Sequence, residues 1–457
     1  MSLTAVLDHI DAELDGSLDR LKELLRIQSI STDPAYKTAC ADAADWLVSD
    51  LRSIGFDARR DDTPGHAMVV SPAMGDGATH VKFYGHYDVQ PVDPIELWDN
   101  DPFDPQIEDT PNGKVIRGRG TSDDKGQLMT FVEACRAWKA VTGSLPLQVS
   151  IFFEGEEESG SPSLIPYMKE NKDDLGSDLV LICDTGMVTP ETPSIVTMLR
   201  GMVSEEVKII GPRIDLHSGF FGGAAINPIR VLSDALAALY DNNGSVILDG
   251  FYDDVPELPA EVAKQWQDLP FDGDAFLNAV GLSKLAGEQD RSILELMWSR
   301  PTAEINGIWG GYTGAGFKTV IPSEASAKVS FRLVGDQDPD KIRAAFRAHI
   351  NAHLPEDCTA EFKDFSNAGA SSSDISHPAF EKARQALSEE WNAPAAFVGC
   401  GGSIPIAGHF QSILGTEPML IGFGQDDDAI HSPNEKYDLR SFHKGIRSWA
   451  RILAALA

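Results

Sequence analysis

At 457 residues the chain is long for a single hydrophobic core, which predicts two domains. Hydrophobic residues make up 42% and charged residues 24%, the composition of an ordinary soluble globular protein. The net charge of −32 argues against nucleic acid and anionic membrane surfaces as partners, because both require basic patches.

The first thirty residues, MSLTAVLDHIDAELDGSLDRLKELLRIQSI, have apolar positions at helical spacing, interrupted by acids. They lack the basic start and unbroken apolar run of a signal peptide, and no stretch has the length of a membrane span. ADAADWLVSDLRSIGF (41–56) predicts a helix closed by Gly55, HVKFYG (80–85) a short strand, and residues 123–143 a helix ending near Gly143. LPLQVSIFF (145–153) and SDLVLICD (177–184) are continuous apolar runs of the kind buried on both faces of an α/β sheet. Far downstream, EKARQALSEEW (381–391) reads as helix, PMLIGFG (418–424) as strand, and the C-terminal RSFHKGIRSWARILAAL as helix. These outer regions predict two halves of one α/β layer.

The middle has another rhythm. GMVSEEVKIIG is strand-like, NPIRVLSDALAALYD (227–241) is an amphipathic helix, and VIPSEASAKVSFRLVG (320–335) predicts a strand pair. DPDKIRAAFRAHINAHL (338–354) follows as a helix with Asp at its start. A small α+β domain inserted into the larger α/β domain fits this order. Within it, residues 243–305 are rich in Trp, Pro and Asp without a clear period, and predict an elaborated insertion. The five cysteines are scattered and form no CxxC pair, which predicts reduced thiols in a cytoplasmic protein.

Residues that bind metals gather at predicted strand ends. KFYGHYDV puts His86 and Asp88 past one strand, LVLICD ends in Asp184, and His431 follows PMLIGFG in DDDAIHSPNE. QVSIFFEGEEESGS carries an apolar run straight into Glu154, Glu156, Glu157 and Glu158, carboxylates that repel unless something neutralises them. Binding sites in open α/β sheets lie at carboxyl strand ends, so the fold can bring these residues together. In GHYD, Asp88 can hold the second ring nitrogen of a ligating His86. GRGTSDDKG (118–126) is not a dinucleotide fingerprint: Asp123 stands at its third glycine position, and no ribose-binding acid follows.

GHYDVQP, RGRGTSDDKG, EGEEESGS, LHSG and HSPNE, in this order over nearly the whole chain, resemble the dinuclear metallopeptidases that include aminoacylases, carboxypeptidase G and cytosolic non-specific dipeptidases. FEGEEESGS, DLHSGFFGG, KTVIP, GGSIP and HSPNEK resemble the dipeptidase and carnosinase branch in particular. The resemblance implies a catalytic domain in two parts, 1–202 and 373–457, with 203–372 as a lid and dimerisation domain. It implies two divalent ions, which the donor set fits as zinc or manganese, with cobalt also suited. His86 and Asp184 would hold one ion, His431 and Glu158 the other, and Asp123 would bridge them, in a segment where the Asp123–Asp124 bond is typically cis. Asp88 would orient His86, and Glu157 would be the general base acting on a water shared by the ions.

On the same resemblance, His217 of LHSG would steady the oxyanion from the partner subunit of a homodimer. Arg332, Thr319, Gly402 and Ser403 would grip the C-terminal carboxylate of a small peptide. Glu154 and Glu156 would be structural or solvated. The remaining histidines (His9, His66, His80, His349, His353, His377, His409 and His443) lack such company. The expected activity is dipeptide hydrolysis. An N-acyl-amino-acid amidohydrolase with the same grip is the alternative, and a non-catalytic metal- or peptide-binding scaffold a third reading, which Glu157 disfavours because a pure binder needs no unligated base.

Overall fold

The computed structural model describes residues 2–402 and 404–457. Its apolar runs become neighbouring strands. Gln148–Glu154, His80–His86, Leu179–Ile182 and Glu417–Leu420 lie side by side in that order, and all four run parallel. Antiparallel strands Met68–Met74 and Arg59–Asp61 extend the sheet on one side. On the other side stands Ser194–Leu199, carrying Ala396–Cys400 in parallel and Ser371–Ser372 antiparallel. The result is a nine-stranded mixed sheet built from both ends of the chain.

Alternate residues of each strand feed opposite cores, as a pleated strand requires. Val81, Phe83, Ile151, Phe153 and Leu181 pack against the helices Lys37–Ile54, Lys125–Thr142, Pro378–Trp391 and Leu439–Leu456. Phe83 stacks on Phe131 with ring centroids 3.8 Å apart, and Trp449 meets both edge-on. Tyr84, Phe152, Val180 and Ile182 face the second core, where Phe410 packs edge-on against Tyr84 and Phe152. Burial of each such large side chain is worth about 1.5–3 kcal/mol, so this double-sided sheet is the rigid base of the molecule. The helices stop where their sequences say: Gly55 (φ 110°) and Gly143 (φ 83°) take left-handed conformations that close Lys37–Ile54 and Lys125–Thr142.

A second, four-stranded antiparallel sheet has the order Thr302–Gly310, Glu324–Leu333, Gly201–Ile210, Thr359–Ala368. One face is covered by the helices Pro228–Ala237 and Pro339–Ala352, the latter started by Asp338 with Pro339 at its first turn. Glu205 is buried under that face and is held by Arg343 (2.9 Å) and Arg347 (2.7 Å). Trp309 and Phe365 remain exposed on the same sheet, with the Lys328 ammonium over both rings. Leu216–His217 and Val320–Ile321 pair separately as a short arm.

Two expectations differ from the outcome. Residues 320–335 are not a strand pair: Val320–Ile321 belongs to the arm and Glu324–Leu333 to the four-stranded sheet. Pro322 stands between them, without the N–H a continuous ladder needs. PMLIGFG is strand only to Leu420; Gly422 then runs so close to Thr185 that a Cβ there would lie 1.9 Å from its carbonyl oxygen. The aperiodic stretch 243–305 contains the short helices Ala260–Asp268, Gly273–Ala279 and Ile293–Trp298 and the start of Thr302–Gly310. Its Trp266 packs edge-on against Trp298 and donates to the Phe397 carbonyl at 2.8 Å, which fastens this stretch to an outer strand of the large sheet.

Candidate metal centre

The carboxyl ends of the four parallel strands deliver the predicted residues to one place. His86 is the last residue of its strand and is fully buried. Asp184 comes two residues after Ile182, and Glu157 and Glu158 begin a single helical turn three residues past Glu154. His431 arrives on the loop after Glu417–Leu420 with a left-handed backbone, φ 62°. Asp123 is presented at the start of helix Lys125–Thr142, and its bond to Asp124 is cis.

Asp123 stands in the middle. Its Oδ1 is 3.1 Å from His86 Nε2 and its Oδ2 is 2.9 Å from His431 Nε2. Asp184 Oδ2 lies 3.9 Å from the same nitrogen of His86, and Glu158 Oε2 lies 3.2 Å from His431 Nε2. Two triads result, His86–Asp123–Asp184 and Asp123–Glu158–His431, each with three ligand atoms within 4.8 Å of one another. A carboxylate with one oxygen in each triad is the donor set for two cations bridged by one residue.

The electrostatics point the same way. Burial opposes charge on Asp123, yet the His431 and His86 imidazoles hold its carboxyl well below the usual range. Burial likewise works against protonated His86, but Asp123 and Asp88 pull the imidazole well above its ordinary value. His431 is pushed up to about 10 by Asp123 and Glu158. Asp184 is driven well up by burial and then by the Asp123 charge. Carboxylates outnumber imidazoles in the two triads, so the site is short of positive charge, which a divalent ion would supply.

Asp88 does more than orient a ring. His86 Nδ1 is 3.2 Å from the Asp88 carbonyl oxygen and 3.3 Å from its Oδ1. The Asp88 carboxylate also accepts the N–H groups of Glu157 (3.3 Å) and Glu158 (3.0 Å), so one buried side chain fixes a histidine and the backbone of two glutamates. The Glu157 carboxyl is raised to about 7 by burial, with Glu158, Asp123 and Asp88 adding to the shift against the opposing charge of His86.

The other two glutamates are structural, and both are buried. Glu154 accepts from Tyr84 Oη at 2.5 Å, and burial raises its carboxyl to about 8. Glu156 accepts the N–H groups of His66 and Ser163, each at 2.9 Å, and lies so close to Gly65 that a Cβ there would sit 1.5 Å from its Oε1.

Sequence reasoning missed the supports. Glu435 accepts from Gly120, Ser122 and Asp123 N–H at 3.0, 2.9 and 3.1 Å and from Arg119 Nη1 at 2.8 Å, clasping the Asp123 loop. Its place four residues after His431 in HSPNE was the available signal. Gln90 donates to Glu158 Oε2 at 2.8 Å, and the Asp124 carboxylate accepts the His86 N–H at 3.1 Å. A third acidic group, Asp427, Asp428 and Asp438, already surrounds an ammonium, Lys436 Nζ at 2.8, 2.8 and 3.4 Å.

The substrate-side candidates are spread out. His217 and Thr319 lie together on the exposed short arm, joined by the Ser218 N–H to the Thr319 carbonyl at 3.0 Å. His217 Nδ1 accepts from the Gly219 N–H, and within one chain His217 has no hydrogen bond to the triads among the described residues. Arg332 is half-buried on Glu324–Leu333, opposite Met202 and Thr302. The Gly402 N–H donates to Cys400 Sγ at 3.4 Å. Burial raises the Cys400 thiol against the Gly402 N–H, with the Asp184 charge adding and Arg200 and Arg332 opposing, and Arg200 Nε donates to the Gly401 carbonyl of the same loop at 3.1 Å. Ser403 lies outside the described residues.

Peptidase family M20/M25/M40 matches residues 82–455. The chain is 30% identical to the Cys-Gly metallodipeptidase of Saccharomyces cerevisiae, over 99% of this chain and 98% of that one. It is 29% identical to the Beta-Ala-His dipeptidase of Homo sapiens, over 100% and 93% of the two chains. Among solved structures, the M20 family metallo-carboxypeptidase of Sulfolobus solfataricus superposes with a TM-score of 0.82 at 28% identity, covering 96% of this chain and 99% of that one.

Proposed function

The chain belongs to peptidase family M20/M25/M40, and we propose that it is a metallodipeptidase that cleaves the bond next to a free C-terminal carboxylate. The observation that carries this reading is Asp123, one oxygen toward each of two histidines at the heart of two ligand triads. His86 and Asp184 would hold one ion and His431 and Glu158 the other, zinc or manganese by donor type, with cobalt also suited. When bound, such a pair lowers the pKa of water and polarises the scissile carbonyl. Glu157, poised near neutrality, takes the proton from the attacking water and passes it to the departing amine. Asp88 keeps Glu157 and His86 in mutual register through its three hydrogen-bonding partners. Arg332, with Gly402 and Ser403, grips the carboxylate, a task a guanidinium performs with two parallel hydrogen bonds, and Thr319 joins the grip from the arm that carries His217.

His217 donates to the developing oxyanion from a second copy of the chain. The support for two copies is the company His217 keeps: Phe220 is 82% and Phe317 91% exposed on the segments flanking the arm, an apolar surface that water covers poorly. Segments 1–202 and 373–457 would then form the catalytic domain, and 203–372 the lid and dimerisation domain. Mixing inactive Glu157→Ala and His217→Ala proteins should restore activity, because each heterodimer carries one intact site. No recovery after verified subunit exchange counts against this arrangement. The five cysteines are all free thiols, in keeping with a cytoplasmic setting, and no described helix is long and apolar enough to cross a membrane.

The substrate reading is tested by amine release from free dipeptides and their N-acetylated twins, with zinc or manganese supplied. Cleavage of the free dipeptides is expected, and preference for the acetylated twins would move the chain to the amidohydrolase reading.

A further inference from the structure

One residue, Arg200, separates the strand Ser194–Leu199 of the large sheet from Gly201–Ile210 of the small one. Its side chain does not run on with the backbone. Nε donates to the Gly401 carbonyl at 3.1 Å and Nη1 to the Leu296 carbonyl at 3.4 Å. An added Cβ on Gly401 would lie 3.0 Å from Nη2, so the guanidinium lies close against that glycine. A planar fork that donates in two directions is suited to join two separate stretches of backbone.

The joined stretches matter. Gly401 belongs to the loop that follows Ala396–Cys400 and contains Gly402, whereas Leu296 belongs to the helix Ile293–Trp298 in the long insertion. Arg332 stands opposite Met202, two residues beyond Arg200, on the neighbouring strand; burial lowers the Arg200 guanidinium to about 10, and the Arg332 charge adds to the effect. The two guanidinium groups thus repel each other, with the Glu304 carboxylate acting in the opposite sense on Arg200.

We propose that Arg200 is a positioning residue for the carboxylate grip, fixing the Gly401–Gly402 backbone relative to Arg332 so that one substrate carboxylate meets both. This rests on the reading of Arg332 and Gly402 as carboxylate-binding groups. Arg200 then acts through the loop, and its influence extends only to substrates that carry the carboxylate.

The test compares a free dipeptide with its C-terminal amide in Arg200→Met, Arg200→Lys and Arg332→Met proteins of verified metal content and melting temperature. Arg200→Met is expected to raise KM for the free dipeptide about tenfold, with kcat within about threefold and KM for the amide within about twofold. Arg200→Lys, which keeps the charge and loses the fork, should fall between, and it serves alone if the methionine variant does not fold. Equal losses on acid and amide, or no change on either, overturn the proposal. If Arg332→Met leaves the preference for acid over amide intact, the carboxylate reading itself has failed. If Arg332→Met abolishes that preference and the Arg200 variants do not, only the positioning role is lost.

Discussion

Replacing Glu157 with alanine should lower kcat about 10²–10⁴-fold while the protein still binds two metals. The two halves of that expectation come from different observations. Asp123, His86, Asp184, Glu158 and His431 make up both triads without Glu157, so its removal takes away no ligand. What disappears is the only glutamate of the four in EGEEE left for proton transfer: Glu154 is bonded to Tyr84, Glu156 to backbone N–H groups, and Glu158 faces His431. Metal content by atomic absorption, read beside steady-state kinetics, separates the outcomes. Loss of metal together with activity would make Glu157 a ligand, and retention of activity would remove it from the chemistry. The pH profile adds a sign. Glu157 sits at about 7 without bound cations, and nearby cations favour its charged form. The acid limb of kcat/KM should therefore fall below 7 in the loaded wild-type protein and be absent from the residual activity of the variant.

Asp123→Ala should be the more damaging change to the metal centre itself. Asp184→Ala or Glu158→Ala removes a donor from one triad, but Asp123 is the one residue common to both. Substitutions of residues that merely support a metal ligand typically cost about 10–100-fold in affinity or activity, and loss of a shared ligand should exceed that. Activity should drop out of range and bound metal should fall below one ion per chain. The thermal transition should lose its response to added zinc or manganese, since a ligand stabilises only the fold that binds it. An Asp123→Ala protein that keeps two tightly held ions would show that the bridge lies elsewhere.

The sequence made the centre legible where local chemistry and strand pattern coincide. Val149–Phe153 reads as an apolar run, broken only by the small, buried Ser150, because that strand is covered on both faces, and the acidic residues beyond it mark the carboxyl edge. The same logic placed His86 and Asp184. It could not separate four glutamates in five positions, because their fates depend on Tyr84, His66 and Asp88, which lie far away in sequence. Glu435 escaped for the same reason: a carboxylate that binds backbone N–H groups more than 300 residues away leaves no periodic trace. The stretch 243–305 was opaque because helices as short as Ile293–Trp298 complete too few turns to show a period, and its order comes from distant contacts such as Trp266 against Trp298 and its hydrogen bond to the Phe397 carbonyl. His217 and Thr319 were named by motif alone, and one chain leaves them on an exposed arm.

Sheet order also dictates a schedule. Glu417–Leu420 is wedged between Leu179–Ile182 and Ser194–Leu199, so the principal sheet keeps an open slot until a strand more than 200 residues downstream arrives. His431 and the Glu435 clasp are delivered later still. Pairings this distant are slow to close and leave apolar edges bare in the meantime. Closure of the sheet on Glu417–Leu420 is therefore expected late in folding, and the Asp123–Glu158–His431 triad has to wait for it, whereas His86, Asp123 and Asp184 all come from residues upstream.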